Sequence, residues 1–321
     1  MKKIILLFVF TTGFAIAQQK NEIPRDTSFN IRSTTISVYK SYPNTKVVVP
    51  NLPENVKAEE NIIYTSYGDR NLHLDLFMPK KGGSYPGVLL IHGGGWRSGD
   101  RSMEVPMAQF IAAHGYVTAV VEYRLSVEAL YPAAIHDLKT ALRWMRANAV
   151  KYNIDTNKIA VYGCSAGGQL AFFMGATNGI KKFEGDGYLN HSSRVQAVIT
   201  LDGIYDMTRP SESGKDTIPT KPSGGKAWFG GAYKNKPEIW KEASSIFYVD
   251  EKMVPSLFVN SSLERYHGGR NEMIEKLKKL NIYYETYTIP NTPHPFWLFH
   301  PWFDEASSYI VNFLDKIFKK G

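Results

Sequence analysis

The stretch that decides the fold runs Lys158-Ile159-Ala160-Val161-Tyr162, then Gly163-Cys164-Ser165-Ala166-Gly167, then Gly168-Gln169-Leu170-Ala171-Phe172-Phe173-Met174. An apolar strand-like run passes through Gly-x-Ser-x-Gly into an apolar helix-like run. Glycines flank the serine because a strand entering a helix this abruptly leaves no room for larger side chains there. Such a turn lifts the serine hydroxyl clear of the sheet. Ser165 is therefore the candidate nucleophile. Its neighbour Cys164 is the single cysteine and cannot form an internal disulfide; it reads as a small buried residue rather than a second nucleophile.

A second motif supports the first. His92-Gly93-Gly94-Gly95-Trp96 follows the apolar run Pro86-Gly87-Val88-Leu89-Leu90-Ile91. Glycines let the backbone N–H groups approach a reacting carbonyl closely. Gly93 and Gly94, with the N–H of Ala166, are the candidate oxyanion hole. Together the two motifs resemble those of α/β-hydrolases.

The rest of the chain alternates strands and helices, which argues for an α/β fold: a mostly parallel central sheet with helices on both faces. Ile62–Ser66 and Asn71–Met78, around Tyr67-Gly68-Asp69-Arg70, read as a hairpin. Helix-like segments are expected at 103–114, 132–148, 269–280 and 303–319. Strands are expected at 116–123, 195–200, 256–259 and 283–288. Residues 204–250 break the alternation with Pro210, Pro219, Pro222 and two Gly-Gly pairs, and read as a lid or insertion over the site. Residues 18–58, polar and punctuated by prolines, read as an N-terminal linker with some extended structure. The catalytic domain is then 59–321.

A serine hydroxyl needs a general base, normally a histidine oriented by a carboxylate. His294 lies in the loop after the last strand and follows Ser165 in chain order, as that fold requires. His92 anchors the glycine loop, while His267 and His300 are candidate substrate contacts. The histidines lack metal-ligand spacing, and neither metal nor cofactor is expected. The acid belongs between Ser165 and His294. Glu264, after the strand at 256–259, is the first candidate; Asp202, in Leu201-Asp202-Gly203, is its rival, and Asp206 is third.

The chain opens Met1-Lys2-Lys3, continues apolar to Ala15-Ile16-Ala17, and turns polar at Gln18. This order is that of a secretory signal peptide, residues 1–17, and implies a periplasmic or secreted protein without a stable membrane anchor. The net charge of +8 includes two lysines of that segment. The remainder is modest, and the absence of long Lys/Arg runs argues against nucleic acid as a partner.

Tyr123-Arg124-Leu125, Tyr131-Pro132-Ala133-Ala134, Ser165-Ala166-Gly167-Gly168 and Pro293-His294, with the glycine loop, give a fuller match. Over most of 60–320 the chain resembles α/β-hydrolase-fold carboxylesterases of the HGGG class, related to hormone-sensitive-lipase-like and bacterial polysaccharide esterases. It departs from their pattern where a Gly and then an Asp usually follow the seventh strand: here Asn260-Ser261-Ser262-Leu263-Glu264-Arg265 stands, which leaves the acid open. The resemblance implies hydrolysis of acetyl, methyl or feruloyl esters on plant cell-wall polysaccharide or oligosaccharide. Trp96, Arg265, His267, Arg270 and Trp297 are candidate substrate-binding residues. The two arginines and His267 of Arg265-Tyr266-His267-Gly268-Gly269-Arg270 favour uronate carboxylates, hence pectin ahead of xylan. The alternatives are a serine peptidase on the same fold and a non-catalytic carbohydrate-binding relative. Oligomeric state is left open.

Overall fold

A computed structural model describes residues 23–214 and 222–319. The segment expected to be a signal peptide lies outside the described residues. In chain order the elements are α1 (Ile31–Tyr39), β1 (Lys46–Val47), β2 (Val56–Tyr67), β3 (Arg70–Pro79), β4 (Tyr85–Ile91), α2 (Val105–Ala113), β5 (Val117–Val121), α3 (Ala133–Ala147), α4 (Ala149–Tyr152) and β6 (Ile154–Cys164). Then follow α5 (Ala166–Ala176), β7 (Ala197–Leu201), α6 (Pro210–Ser213), α7 (Gly224–Phe229), α8 (Pro237–Glu242), β8 (Ser256–Asn260), α9 (Arg270–Lys279), β9 (Tyr284–Thr288), β10 (Phe299–His300) and α10 (Trp302–Phe318).

The main sheet has eight strands in the order β2-β3-β5-β4-β6-β7-β8-β9. The first two pairings are antiparallel and the rest are parallel. Parallel strands covered on both faces must be apolar on both. In β4, accordingly, Leu89 and Ile91 join the core beneath α3 and α5, while Val88 and Leu90 join the core beneath α2 and α10. This is an α/β-hydrolase fold. The β2–β3 hairpin turns at Gly68, as its sequence predicts.

The N-terminal segment differs from its sequence reading. Residues from 23 onward pack on the domain rather than linking to it. Asn30 caps α1 reciprocally: its Oδ1 accepts the Ser33 N–H at 2.9 Å while Ser33 Oγ accepts the Asn30 N–H at 3.1 Å. Val38 is buried in the second core, and β1 pairs with β10. The helix escapes sequence reading because Ile-Arg-Ser-Thr-Thr-Ile-Ser-Val-Tyr has weak helix propensity; the cap and the packing make it. Within 204–250, the described residues form α6, α7, α8 and short 3₁₀ turns. They are joined to the domain as a cap: Trp228, Phe229 and Trp240 are buried in the core that covers α3 and α5.

Candidate active site

Ser165, Asp202, His294 and the His92–Trp96 loop all emerge beyond the C-terminal ends of parallel strands, where open α/β sheets present their loops. Ser165 directly follows β6 and precedes α5, with φ +54° and ψ −121°. A non-glycine residue held there stores roughly 1–3 kcal/mol of backbone strain. The surroundings enforce it. A Cβ on Gly163 would lie 2.0 Å from the Gly167 carbonyl oxygen, and one on Gly167 would lie 2.2 Å from that of Ile91. The Ser165 N–H donates to Leu201 O at 2.7 Å, which ties the elbow to the end of β7.

His294 bridges the other two groups. Its Nδ1–H donates to Asp202 Oδ2 at 2.8 Å. Its Nε2, then the unprotonated nitrogen, accepts the Ser165 hydroxyl at 2.8 Å. The tautomer follows from chemistry: a buried ionised carboxylate can only accept, so Nδ1 carries the proton. Asp202 is fully buried and also accepts from the Ser261 N–H at 2.8 Å and the Asn260 amide at 3.3 Å. These donors stand where water otherwise would, and keep the buried carboxylate satisfied.

The first-choice acid is thus corrected: the carboxylate on His294 belongs to Asp202, after β7, and not to Glu264. Beyond β8 the chain spends Asn260 and Ser261 as donors to Asp202. It then enters a 3₁₀ turn, Glu264–Tyr266, that carries Glu264 outward into solvent. The same turn lays the Tyr266 ring on the His294 imidazole, with centroids 3.5 Å apart and planes 7° from parallel. Asp206, the third candidate, is occupied by Thr208, whose N–H and hydroxyl it accepts.

A cavity of about 700 Å³ opens above Ser165 and His294. The glycine loop forms one wall, the cap a second, and Asp26–Phe29 of the N-terminal segment a third. Gly94, Gly95 and Ala166 line it; Gly93 does not. Gly93 lies behind, where a Cβ would meet Cys164 O at 2.9 Å. The glycines that face the cavity beside Ala166 are therefore Gly94 and Gly95, one residue on from the expected pair Gly93 and Gly94. Gly94 needs to be glycine: φ is +118°, and a Cβ would lie 2.1 Å from Ser98 O. His92 is buried against the loop it anchors, Nδ1 facing Gly93 O at 2.7 Å, and burial lowers its pKa.

The expected substrate contacts divide. Trp96 lines the cavity but is buried, stacked on Trp228 of the cap at 4.9 Å. Trp297 is buried core that meets His294 edge-on at 5.3 Å, so it has no free face for a sugar. His267 Nε2 is engaged by Ser261 O at 2.9 Å, and Arg270 Nη1 by Asn260 Oδ1 at 3.1 Å. Both hold the loop beneath Asp202 and are absent from the cavity wall. Arg265 alone of the three is exposed at the cavity, its guanidinium 4.4 Å above the Tyr266 ring. His300 pairs with Asp304 and lies away from the cavity.

Sequence reading missed several supports. Glu104 is buried behind the elbow and accepts the Cys164 thiol at 2.8 Å; burial pushes its carboxyl up to about 7. Gln169, a polar residue in an apolar helix, accepts the Trp96 indole N–H at 3.0 Å and donates to Ala243 O at 2.9 Å. Lone polar residues inside apolar runs were the available signal for both. Among the described residues, no group of three His, Cys, Asp or Glu side chains converges as a metal site would. No helix there is long and apolar enough to cross a membrane.

Comparison with known proteins agrees with this geometry. The chain is similar to LipM of Mycobacterium tuberculosis, named as a carboxylic ester hydrolase: 34% identity over 153 residues, 46% of this chain and 35% of LipM. It is also similar to the esterase LipC of the same organism: 30% identity over 178 residues, 55% of this chain and 44% of LipC. The chain thus spans less than half the length of either relative. Among solved structures, a bifunctional GH43-CE protein of Bacteroides eggerthii superposes with a TM-score of 0.69 at 27% identity, covering 81% of this chain and 38% of that one. A truncated carbohydrate esterase from gut microbiota gives a TM-score of 0.68 at 23% identity over 84% of this chain and 99% of its own, a likeness of fold. The BD-FAE family model matches residues 74–266, more than half of the chain, including the glycine loop, Ser165 and Asp202, so this protein is a member of the BD-FAE family.

Proposed function

We propose that this chain is a serine carboxylic ester hydrolase acting on esters of carbohydrates. The observation that carries the reading is the hydrogen-bonded series Ser165–His294–Asp202, two contacts of 2.8 Å, at the floor of a cavity lined by backbone of the glycine loop. As Ser165 Oγ attacks the ester carbonyl, His294 Nε2 takes its proton, and the buried Asp202 stabilises the imidazolium that forms. N–H groups of Gly94, Gly95 and Ala166 receive the oxyanion. His294 then returns the proton to the leaving alcohol and activates the water that clears the acyl-enzyme.

A carbohydrate alcohol is favoured by the solved relative of Bacteroides eggerthii and by the cavity's size, which far exceeds an acetyl group. Of the three residues that favoured acidic sugar chains, pectin ahead of xylan, Arg265 alone among the described residues stands exposed at the rim, so a neutral chain such as xylan is the reading favoured here. The Lys-apolar-Ala-x-Ala order of residues 1–17 supports export, and N-terminal sequencing of protein from the culture medium or periplasm, starting at Gln18, tests it. The activity test is labelling by a fluorophosphonate with turnover of a small aryl acetate. Both should vanish in Ser165→Ala; an unlabelled parent protein would return the chain to the non-catalytic reading.

A further inference from the structure

A second groove, of about 560 Å³, runs along the N-terminal helix α1 and meets the catalytic cavity. The two share Ser28, Phe29, Tyr266 and His294, so they adjoin at the imidazole. The far wall of the groove is made by residues that lie outside the stretch matched by the family model. Resting on the ester hydrolase reading above, we propose that this groove is a subsite for neutral sugar residues on the alcohol side of the substrate.

Its position assigns the side. His294 must reach the leaving oxygen to protonate it, so the alcohol portion extends past the imidazole. The groove begins at that ring. Its lining assigns the ligand. Thr34, Ser37 and Ser41 recur at helical spacing along α1 and the turn after it. Ser37 and Ser41 are exposed, and their hydroxyls bond to no other described residue. Thr34 is only 5% exposed, and its Oγ1, enclosed and without a hydrogen-bond partner among the described residues, lies beneath that surface. The rings of Phe29 and Tyr42 share the lining with these residues, while the Tyr266 ring is taken up by His294 and Arg265. Hydroxyls beside aromatic rings match a sugar, which offers hydroxyl edges and apolar C–H faces. Among the described residues no Asp, Glu, Lys or Arg lines the groove, and the nearest noted cation, Arg265, stands over Tyr266 where the groove meets the catalytic cavity. A uronate placed there would lose water and find no cation in exchange, so the sugars held are neutral. From Thr34 to Ser41 the wall extends about 10 Å at the helical rise, enough for more than one ring.

The test uses the full chain in two backgrounds. In the active protein, Ser37→Trp with Ser41→Trp fills the groove without touching Ser165, His294 or Asp202. KM for an acetylated neutral oligosaccharide should rise about 10-fold, while kinetics on a small aryl acetate stay unchanged. If the bulky pair fails to fold, Ser37→Ala with Ser41→Ala removes the hydroxyls alone, and a rise of about 3-fold is expected. In the Ser165→Ala protein, a de-esterified neutral xylo-oligosaccharide should perturb Ser37 and Ser41 resonances, and an oligogalacturonate should not. Unchanged oligosaccharide kinetics in a protein that still turns over aryl acetate overturns the subsite, as does equal binding of the acidic oligomer. Loss of aryl acetate turnover in the parent overturns instead the ester hydrolase reading on which the subsite rests.

Discussion

Replacing Asp202 by Asn tests the site at its most informative atom. Asp202 is fully buried and accepts three hydrogen bonds, from His294 Nδ1–H, the Ser261 N–H and the Asn260 amide. An Asn side chain has the same shape but carries an NH₂ in place of one oxygen. With the Ser261 N–H and Asn260 amide demanding the acceptor oxygen, the NH₂ is left facing His294. The imidazole then turns its lone pair to Nδ1 and its proton to Nε2, so the atom 2.8 Å from Ser165 Oγ becomes a donor and can no longer take the serine proton. Loss of the correct tautomer in such a triad costs about 10⁴ in kcat, or about 5.5 kcal/mol of transition-state stabilisation. Glu264 is solvent-exposed, and His294 Nδ1 is already bonded to Asp202, so Glu264→Gln should stay within a factor of about 3, as exposed substitutions usually do. The assay is steady-state turnover of a small aryl acetate, with near-ultraviolet circular dichroism to show that packing is intact. A folded Asp202→Asn protein within tenfold of the parent, or a larger loss in Glu264→Gln, would refute the assignment.

Three further outcomes follow from the same geometry. Ser165→Ala and His294→Ala should each lower kcat by roughly 10⁴ or more, and the double variant should be little worse because the residues act as a unit; additive losses would show that they do not. Gly94→Ala places a Cβ 2.1 Å from Ser98 O, so the oxyanion loop must shift, and kcat should fall about 10²-fold with KM changed far less, measured on the same ester. Glu104 bears on stability against pH. Its folded carboxyl titrates near 7, above its ordinary 4.5, so between those values the folded state keeps a proton that the unfolded chain has released. Stability therefore falls as pH rises through that window, by about 3 kcal/mol in all. Denaturant unfolding of Glu104→Gln between pH 4 and 8 should lack this decline, and an unchanged slope would assign it elsewhere.

The nucleophile and base were legible because their constraints are local. A glycine-flanked serine between an apolar strand and helix, and a histidine after the last strand, are each written within a few residues. The acid was not. Asp202 and Glu264 both follow a strand, and choosing between them requires knowing which direction the chain takes beyond Asn260. That is decided by a 3₁₀ turn and by Ser261 donating back to Asp202, neither of which has a residue pattern. Arg270 and His267 illustrate the same difficulty. Their types suit carboxylate binding, but Asn260 and Ser261 O already engage them, and only the folded loop reveals that. Helix α1 escaped for a different reason: β-branched and hydroxyl residues disguise it, and tertiary packing of Val38 overrides propensity.

Gln169, the cap and the N-terminal segment share one task, which is to hold the glycine loop. Trp96 sits at φ +60°, a conformation a bulky side chain adopts only under constraint. The constraint comes from several sides. Its ring stacks on Trp228 of the cap, its indole N–H is held by Gln169, and its carbonyl accepts the Ser126 N–H at 2.7 Å. Gln169 in turn donates to Ala243, near the end of the cap, so cap, loop and elbow helix form one bonded unit. On the opposite side Arg97 Nε donates to Asp26 Oδ2 at 2.5 Å, fastening the N-terminal segment to the next residue of the loop. Donors that are fixed before the reaction need no reorganisation when charge develops, and this is the larger part of what such loops contribute to catalysis. The cap and the N-terminal segment therefore fix the glycine loop as well as wall the cavity, so a site whose reacting groups lie on three short loops depends on packing contributed by segments far from them in the chain.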